Sequence, residues 1–369
     1  MDEFEIKLRD SDVVQTVVFG EATPEQLLRS RQLAGAEFGK PLTIEDYVET
    51  EKYLAQKPLV SDGGWQIWCL SLAQKPHEVL AACKTIHREV LVRDMSGIHR
   101  QSAYCIATVV TDPRYRGQGL QSRLLQYVSS WLDGPGNAVA SMLYTSIGDF
   151  YDRRGWKMLP AYQATLSWHA DSVLPTSRPN LPSTRPVLRA EVPALCIRDV
   201  RDVESHFAAL PPRPLESHIC VLPTANIITW LHDRVDFMST KITGAPPQNR
   251  GSICESADSW LFWCHDFRKQ QLAIQRVRAP LEATDNNLNA LAAMLLDAVE
   301  EARIWKLSKV ILWDPTDDLV SAMQILERDF GIVCHNGERI NSSIPSLRWK
   351  HADETSKTVF HFREFYTWS

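Results

Sequence analysis

The stretch best equipped for chemistry lies between Tyr104 and Leu125. There an apolar run ending at Val110 meets a Thr-Asp-Pro turn and then Arg114-x-x-Gly117-x-Gly119. Leu120, Leu124, Leu125, Val128, Trp131 and Leu132 follow at helical spacing, so the glycines stand where a helix begins. The first amides of a helix lack partners within it and carry partial positive charge. Glycines at that point let a phosphate approach the backbone unobstructed, and Arg114, Arg116 and Arg123 add full charges. The pattern predicts a pyrophosphate cradle after a β-strand. It is no P-loop, since GxxxxGK[ST] is missing. It is no dinucleotide fingerprint either, since Ser122 stands where GxGxxG has its third glycine.

Two helices open the half of the chain that carries this loop. Thr23, Pro24 and Gln26 supply an N-cap, a proline at the first helical position and a capping-box partner; Thr43 and Asp46 repeat the arrangement before Tyr47, Val48 and Leu54. Strands are predicted at 65–71, 80–92 and 103–110, with a hairpin turn around Gly97. A helix at 118–132, a strand at 138–144, a helix at 147–154 and a strand at 161–169 follow. One crossover unit inside a mostly antiparallel sheet makes this an α/β domain of the α+β kind. Prolines at 175, 179, 182 and 186 then exclude an interior helix. The chain thus reads as 1–170, an extended linker or surface strap at 171–187, and 188–369.

The later half predicts a helix at 223–240, strands at 258–264 and 271–278, a helix at 285–303, a strand at 309–313, a helix at 317–328, and strands near 345–350 and 357–365. Its order of elements echoes the first half, which suggests a repeated fold. Trp260, Trp263 and His265 read as buried sheet residues. The aromatic end from His361 to Ser369 reads as a packed strand near the interface of the halves.

With 369 residues, two domains of similar size are expected. Lys and Arg number 40 against 45 Asp and Glu, a formal charge of −5, which argues against a nucleic-acid binder. Eight cysteines include no CxxC pair, so neither a zinc site nor a disulfide framework is expected, and no metal. No recognisable base accompanies Cys69, Cys83 or Cys105, which disfavours a cysteine nucleophile. The opening MDEFEIKLRD lacks the apolar core of a secretory signal, and no run reaches the ~18 apolar residues of a membrane span. A cytoplasmic protein is expected.

RYRGQGL after VVTDP resembles motif A of the acetyl-CoA-dependent N-acetyltransferases related to the Gcn5 family. The resemblance implies that Arg114 and the backbone of Arg116, Gly117 and Gln118 hold the cofactor's pyrophosphate, within a site that also takes in Tyr115, Gly119 and Leu120. It implies that Val109 and Val110 pair with the pantetheine arm. Phe150-Tyr151-Asp152-Arg153-Arg154-Gly155-Trp156 is similar to the family's FY-x-x-x-GF segment, which would make Tyr151 the proton donor to the leaving thiolate, next to the cofactor sulfur. Where the family usually has an asparagine seven residues before that tyrosine and an alanine four before, this chain has Tyr144 and Ile147. More narrowly, the whole chain resembles the fungal lysine N6-acetyltransferases of lysine catabolism. The likeness includes EATPEQLLRSRQLAGAEFGKPLTIEDYVETEKYL, the segment from Leu143 to Trp156, and the tryptophan-rich later half.

The implied reaction is direct attack of a neutral amine on the thioester of acetyl-CoA. A lysine ammonium, with a reference pKa of ~10.4, must first lose a proton. His87 and Glu89, two apart on a strand and so on one face, are candidate bases, with Asp149 and Tyr144 also open. The Val109 and Val110 amides suit the oxyanion, and Arg100 or Lys84 could meet a substrate carboxylate. The implied fold is a mixed, mostly antiparallel sheet flanked by helices, duplicated in a degenerate second half that buttresses the first or walls its substrate cleft. No RxxGxG precedes the helix at 285–303; VRAPLEATDNNLNA puts Glu282 and Asp285 there, where they would repel a pyrophosphate. Free L-lysine is the implied substrate and a monomer or homodimer the expected state. Another small primary amine (a polyamine, aminosugar or secondary-metabolite intermediate) and a non-catalytic acyl-CoA-binding sensor or scaffold stay open.

Overall fold

The computed structural model describes residues 2–7, 13–61, 63–169, 174–175, 177–279, 284–350 and 356–368. Both capped helices are present. In α1 (Pro24–Phe38) the Thr23 amide donates to Gln26 Oε1 at 2.9 Å and the Gln26 amide to Thr23 Oγ1 at 3.4 Å, closing the capping box. In α2 (Ile44–Leu54) Thr43 accepts the Asp46 amide. The helix after the glycine loop, α3 (Leu120–Asp133), buries Leu120, Leu124, Leu125, Val128 and Leu132, the stripe read from the sequence.

These helices flank a ten-stranded sheet that is antiparallel except at two pairings. Strands Asp2–Lys7 and Val14–Glu21, which the sequence did not announce, form one end of it. Then come Trp65–Leu72, the long Lys75–Asp94, Gly97–Thr111 and Ala140–Thr145. The Lys75–Asp94 strand outruns its neighbour Trp65–Leu72, and its far end, Val90–Arg93, pairs instead with Glu216–Val221. The expected helix at 147–154 is two 3₁₀ turns, Gly148–Phe150 and Asp152–Arg154, meeting at Tyr151. Gly148 (φ +57°) and Gly155 (φ +93°) leave less than two α-helical turns between them.

A second, seven-stranded sheet carries α4 (Val192–Ala209), α5 (Ala225–Thr243), α6 (Asp285–Ile304) and α7 (Asp317–Phe330) around it. Its one parallel pair, Gln271–Arg278 with Lys309–Trp313, is bridged by α6, as Gly97–Thr111 and Ala140–Thr145 are bridged by α3. Trp260, Trp263 and His265 are buried in it, the last with its Nε2 at 2.9 Å from Glu301 Oε1. Glu282, Asp171 and Ser369 lie outside the described residues.

Sheet membership crosses the proline-rich segment in both directions. Tyr162–Ser167, from before it, pairs with Lys309–Trp313 and Val333–Glu338 in the second sheet. Ile344–Trp349, from after it, covers the outer edge of Ala140–Thr145 in the first. The aromatic chain end is a strand only to Phe360 and then a 3₁₀ turn, Phe365–Thr367. It is held where Tyr366 donates to the Val221 carbonyl at 2.7 Å and Glu364 meets the buried Arg276–Asp199 pair. Among the described residues no helix is long and apolar enough to cross a membrane.

An unpaired strand edge loses its ladder partners and exposes apolar surface. Residues 1–170 produced alone should therefore show no cooperative melting transition by circular dichroism, while the full chain shows one. A sharp transition in the fragment would mean that the exchanged strands are dispensable.

Candidate active site

A cleft of about 730 Å³ opens where the two parallel strands of the first sheet part. Gly97–Thr111 and Ala140–Thr145 are paired only from Ala103 opposite Ala140 to Cys105 opposite Met142. Beyond that point Ile106 to Thr111 form one wall and Leu143 to Ile147 the other. On its other side the Gly97–Thr111 strand bulges: Ala82 faces Val110 and Lys84 faces Ala107, so Cys83 alone spans Thr108 and Val109. Thr108 sits at φ +49° in this bulge. A two-against-one register takes a residue out of the ladder and turns backbone groups elsewhere. Here the bulge coincides with Val109 and Val110 at the cleft wall.

The glycine loop closes one end. Tyr115, Arg116, Gly117, Gly119 and Leu120 line the cleft, followed by Gln121 and Ser122 of the first turn of α3. Gly119 caps α3 at φ +74° with no side-chain hydrogen bond, the first turn holds no acidic residue, and a Cβ at Gly119 would meet nothing within 4 Å. Open space over uncapped amides fits a phosphate-bearing cofactor. Arg114 and Gln118 do not line the cleft. The Arg114 guanidinium holds the loop instead, with Nη2 at 2.9 Å from Asp112 and Nη1 at 3.2 Å from Glu78. Arg116 pairs with Glu37 at 2.9 Å, and Arg123 lies over the Phe4 ring rather than in the cleft.

Tyr151 lines the cleft from the meeting point of the two 3₁₀ turns and is 7% exposed. Among the described residues its hydroxyl makes no hydrogen bond; burial first, and Cys83 beside it, push the phenol above its ordinary range. Arg154 pins this turn to α3, stacking 3.7 Å over Phe150 and donating through Nε to Ser122 Oγ at 3.1 Å.

The opposite end carries a buried ion pair. Glu51 of α2 and Lys84 are 7% and 4% exposed and hydrogen-bonded, and the ammonium lies 4.6 Å over the Trp65 ring. Burial pushes the Lys84 ammonium down and Glu51 opposes it. The later half supplies the facing wall: Trp230 and Arg234 of α5, Arg268 and Lys269 after the Ser259–Asp266 strand, Ser343 and Trp368. Arg234 stacks 4.8 Å over Trp368, and among the described residues neither Arg234 nor Arg268 makes an ion pair.

His87 and Glu89 are not brought to this cleft. They share a face, as their spacing requires, but lie with Arg100 and Ser102 in a separate depression. His87 stands opposite Tyr104, which packs on Trp131 of α3, whereas Lys84 and Ile86 face the cleft. Successive strand residues point to opposite faces, so the odd and even positions divide between the two. Glu89 and Glu204 are both held by Arg100. Asp149 is exposed and bound to Arg153; Tyr144 lines the cleft with its hydroxyl on Thr367. Cys69, Cys83 and Cys105 are buried free thiols, and burial pushes those of Cys69 and Cys83 up. Sequence reasoning missed Glu51, Arg234 and Arg268. The one legible signal was Glu51 itself, an acid inside the buried stripe Tyr47, Val48, Leu54.

A mixed sheet split at a parallel pair, with a glycine-gated helix start at the split, defines the fold of the Gcn5-related N-acetyltransferases. Residues 169–369 match the family described as LYC1 GNAT-like C-terminal domain; they make up more than half of the chain, which belongs to this family. A lysine acetyltransferase of Yarrowia lipolytica is 22% identical over 370 residues, covering 88% of this chain and 92% of that protein. Among solved structures, a conserved protein of Enterococcus faecalis V583 superposes with a TM-score of 0.56 at 14% identity, covering 91% of this chain and 72% of that one. A GCN5-related N-acetyltransferase of Kribbella flavida gives 0.52 at 16%, covering 90% and 71%. At such identities these structures speak for the fold alone.

Two outcomes test the site. An alanine at φ +74° costs about 1–2 kcal/mol, so Gly119→Ala should weaken acetyl-CoA binding about tenfold in calorimetry with the circular dichroism spectrum unchanged. Lys84→Met, which strands Glu51, should lose about 3–5 kcal/mol in denaturant unfolding, and adding Glu51→Gln should restore much of it.

Proposed function

We propose that the chain transfers the acetyl group of acetyl-CoA directly to the side-chain amine of free L-lysine. The observation that carries this reading is the polarity of the cleft. Uncapped helix amides stand at one end, and a buried Glu51–Lys84 pair with surplus arginines stands at the other. The Yarrowia lipolytica relative, itself described as a lysine acetyltransferase, supports the choice of substrate.

When bound, acetyl-CoA supplies an activated thioester. The Gly117 and Gly119 backbone and the first turn of α3 would hold its pyrophosphate, with Arg116 adding charge and Arg114 stiffening the loop through Asp112. Val109 and Val110 would pair with the pantetheine arm, and their amides at the bulge would take the negative charge that develops on the thioester oxygen. Tyr151, buried in the cleft, would donate its proton to the departing sulfur. Glu51, the buried cleft carboxylate held by Lys84, would take the proton that the acceptor ammonium must lose; His87 and Glu89 face away. Arg234, Arg268 and Lys269 favour an acceptor carrying a carboxylate and disfavour a polyamine. On this reading 1–170 is the catalytic region, 171–187 a strap, and 188–369 a degenerate copy that walls the cleft. Supporting that last point, the start of α6 is capped by Thr284 with Asp285 in its first turn, where α3 has neither cap nor acid.

The test is thiol release from acetyl-CoA across free lysine, polyamines, aminosugars and a lysine-bearing peptide. Turnover on lysine with the acetyl group on the side-chain nitrogen is expected. Turnover on another amine alone would discard lysine, and tight cofactor binding without turnover on any amine would discard catalysis. Tyr151→Phe should lower kcat by about 10²-fold or more with acetyl-CoA affinity unchanged. Because burial raises the Tyr151 phenol, it stays protonated past the ordinary value of ~10. The wild-type rate should therefore rise with pH and hold through pH ~10; an alkaline fall below that point would remove Tyr151 from the donor role.

A further inference from the structure

Behind the acceptor end of the cleft, the second sheet holds a pocket of about 330 Å³ lined by Gln163, Lys269, Gln271, Lys309, Trp313 and Arg339, among others. Arg339 is 8% exposed, yet its Nε, Nη1 and Nη2 are all buried without a hydrogen-bond partner. Its guanidinium lies 3.8 Å over the Trp313 ring. Stacking uses the flat face of the group and leaves the in-plane N–H fork free, the geometry that matches a carboxylate or phosphate. A buried donor left unmade costs about 1–3 kcal/mol, and a buried charge without a counter-ion costs more.

The surroundings do not neutralise it. Lys269 and Lys309 line the same pocket, with Arg268 and Arg363 nearby. Lys309 makes no ion pair among the described residues, and Lys269 reaches only Ser343 Oγ, at 3.4 Å. Neither nearby carboxylate hydrogen-bonds the Arg339 guanidinium. Asp266 accepts the Lys269 amide and the Gln271 side chain; Asp314 accepts the Tyr162 amide on Oδ1, and its Oδ2 lies 2.9 Å from Arg363 Nε but is buried without a hydrogen bond, so it offsets Arg339 by charge without filling the fork. Burial pushes the Lys269 ammonium down and Asp266 opposes this, while Arg268, Arg339 and Lys309 push it further down. Burial likewise brings Arg339 to about 10 against the pull of Asp314. In a chain of formal charge −5 this is a concentration of unmet positive charge in a concave site.

We propose that this pocket is an oxyanion-binding site, with the Arg339 fork as its bidentate contact and Lys269 and Lys309 as flanking cations, and that its ligand is a carboxylate or phosphate borne by a small molecule. Lys269 belongs to the walls of both the pocket and the cleft. The oxyanion therefore has two sources: a free anion, or the carboxylate of an acceptor reaching past Lys269. The site itself goes beyond acetyl transfer and does not need it; only the second source rests on the proposed function.

Calorimetry on the full chain separates the cases without acetyl-CoA present. The probes are inorganic phosphate, succinate, L-lysine and 1,5-diaminopentane, which is lysine without its carboxylate. Arg339→Met keeps an apolar side chain on Trp313 and removes an uncompensated buried charge, so it should fold at least as well as the parent, and Lys309→Met is a second, half-buried variant. Saturable binding of phosphate or succinate, weakened tenfold or more in both variants, supports a free-anion ligand. Weakened lysine binding with diaminopentane unaffected supports the acceptor's carboxylate. Binding of phosphate, succinate and lysine that is equal in parent and variants, or absent in the parent, overturns the site whatever the thiol-release assay reports.

Discussion

Gly97–Thr111 and Ala140–Thr145 keep parallel register from Ala103 to Cys105 and then separate, although each strand's amides must be satisfied somewhere. The structure meets that demand on the outer edges. Ile344–Trp349 takes the far side of Ala140–Thr145, while the Lys75–Asp94 strand takes the far side of Gly97–Thr111 and absorbs the mismatch in a bulge at Thr108 and Val109. With both outer edges occupied, neither strand can swing back to close the gap. The helix start, the Tyr151 turn and the Glu51–Lys84 pair all derive their meaning from opening onto that gap.

The later half of the chain is therefore part of the site as well as its support. It pins the gap open through one exchanged strand, and α5 and the loops of the second sheet wall the end away from the glycines. Strand exchange in both directions ties the two sheets covalently and by hydrogen bonds, so the wall cannot drift relative to the cleft without breaking ladders. The charge is divided accordingly. Neutral, uncapped amides lie at the α3 end, and the buried Glu51–Lys84 pair lies at the other with full cations from the later half. A buried pair is weak evidence of stabilisation; here it fixes where a carboxylate and an ammonium stand inside the cleft.

What could be read from residues alone was local. The α1 and α2 caps, the α3 stripe, the parallel crossover and the glycines at a helix start are each dictated by a few neighbouring residues and their backbone preferences. The His87 and Glu89 case shows where such reading stops. Their spacing correctly put them on one face, but which face meets the cleft depends on the parity of Lys84 and Ile86, and that is set by packing against α2 and α5. Likewise Arg114 carried the right charge in the right loop, and only the positions of Asp112 and Glu78 decide that it braces the loop instead of facing the opening.

By itself, then, the sequence determined the capped helices, the α3 stripe and the glycine-marked helix start, because capping, helical periodicity and glycine's access to positive φ act over a few residues; it left strands such as Asp2–Lys7 and Val14–Glu21 unannounced. Tertiary structure alone decided the membership of Tyr162–Ser167 and Ile344–Trp349 in opposite sheets, the meeting of Glu51 with Lys84, and the gathering of Lys269, Lys309 and Arg339 around one pocket. Those residues are far apart in the chain. Their association depends on which strand edges and apolar faces find partners, a property of the whole packing that no short window of sequence contains.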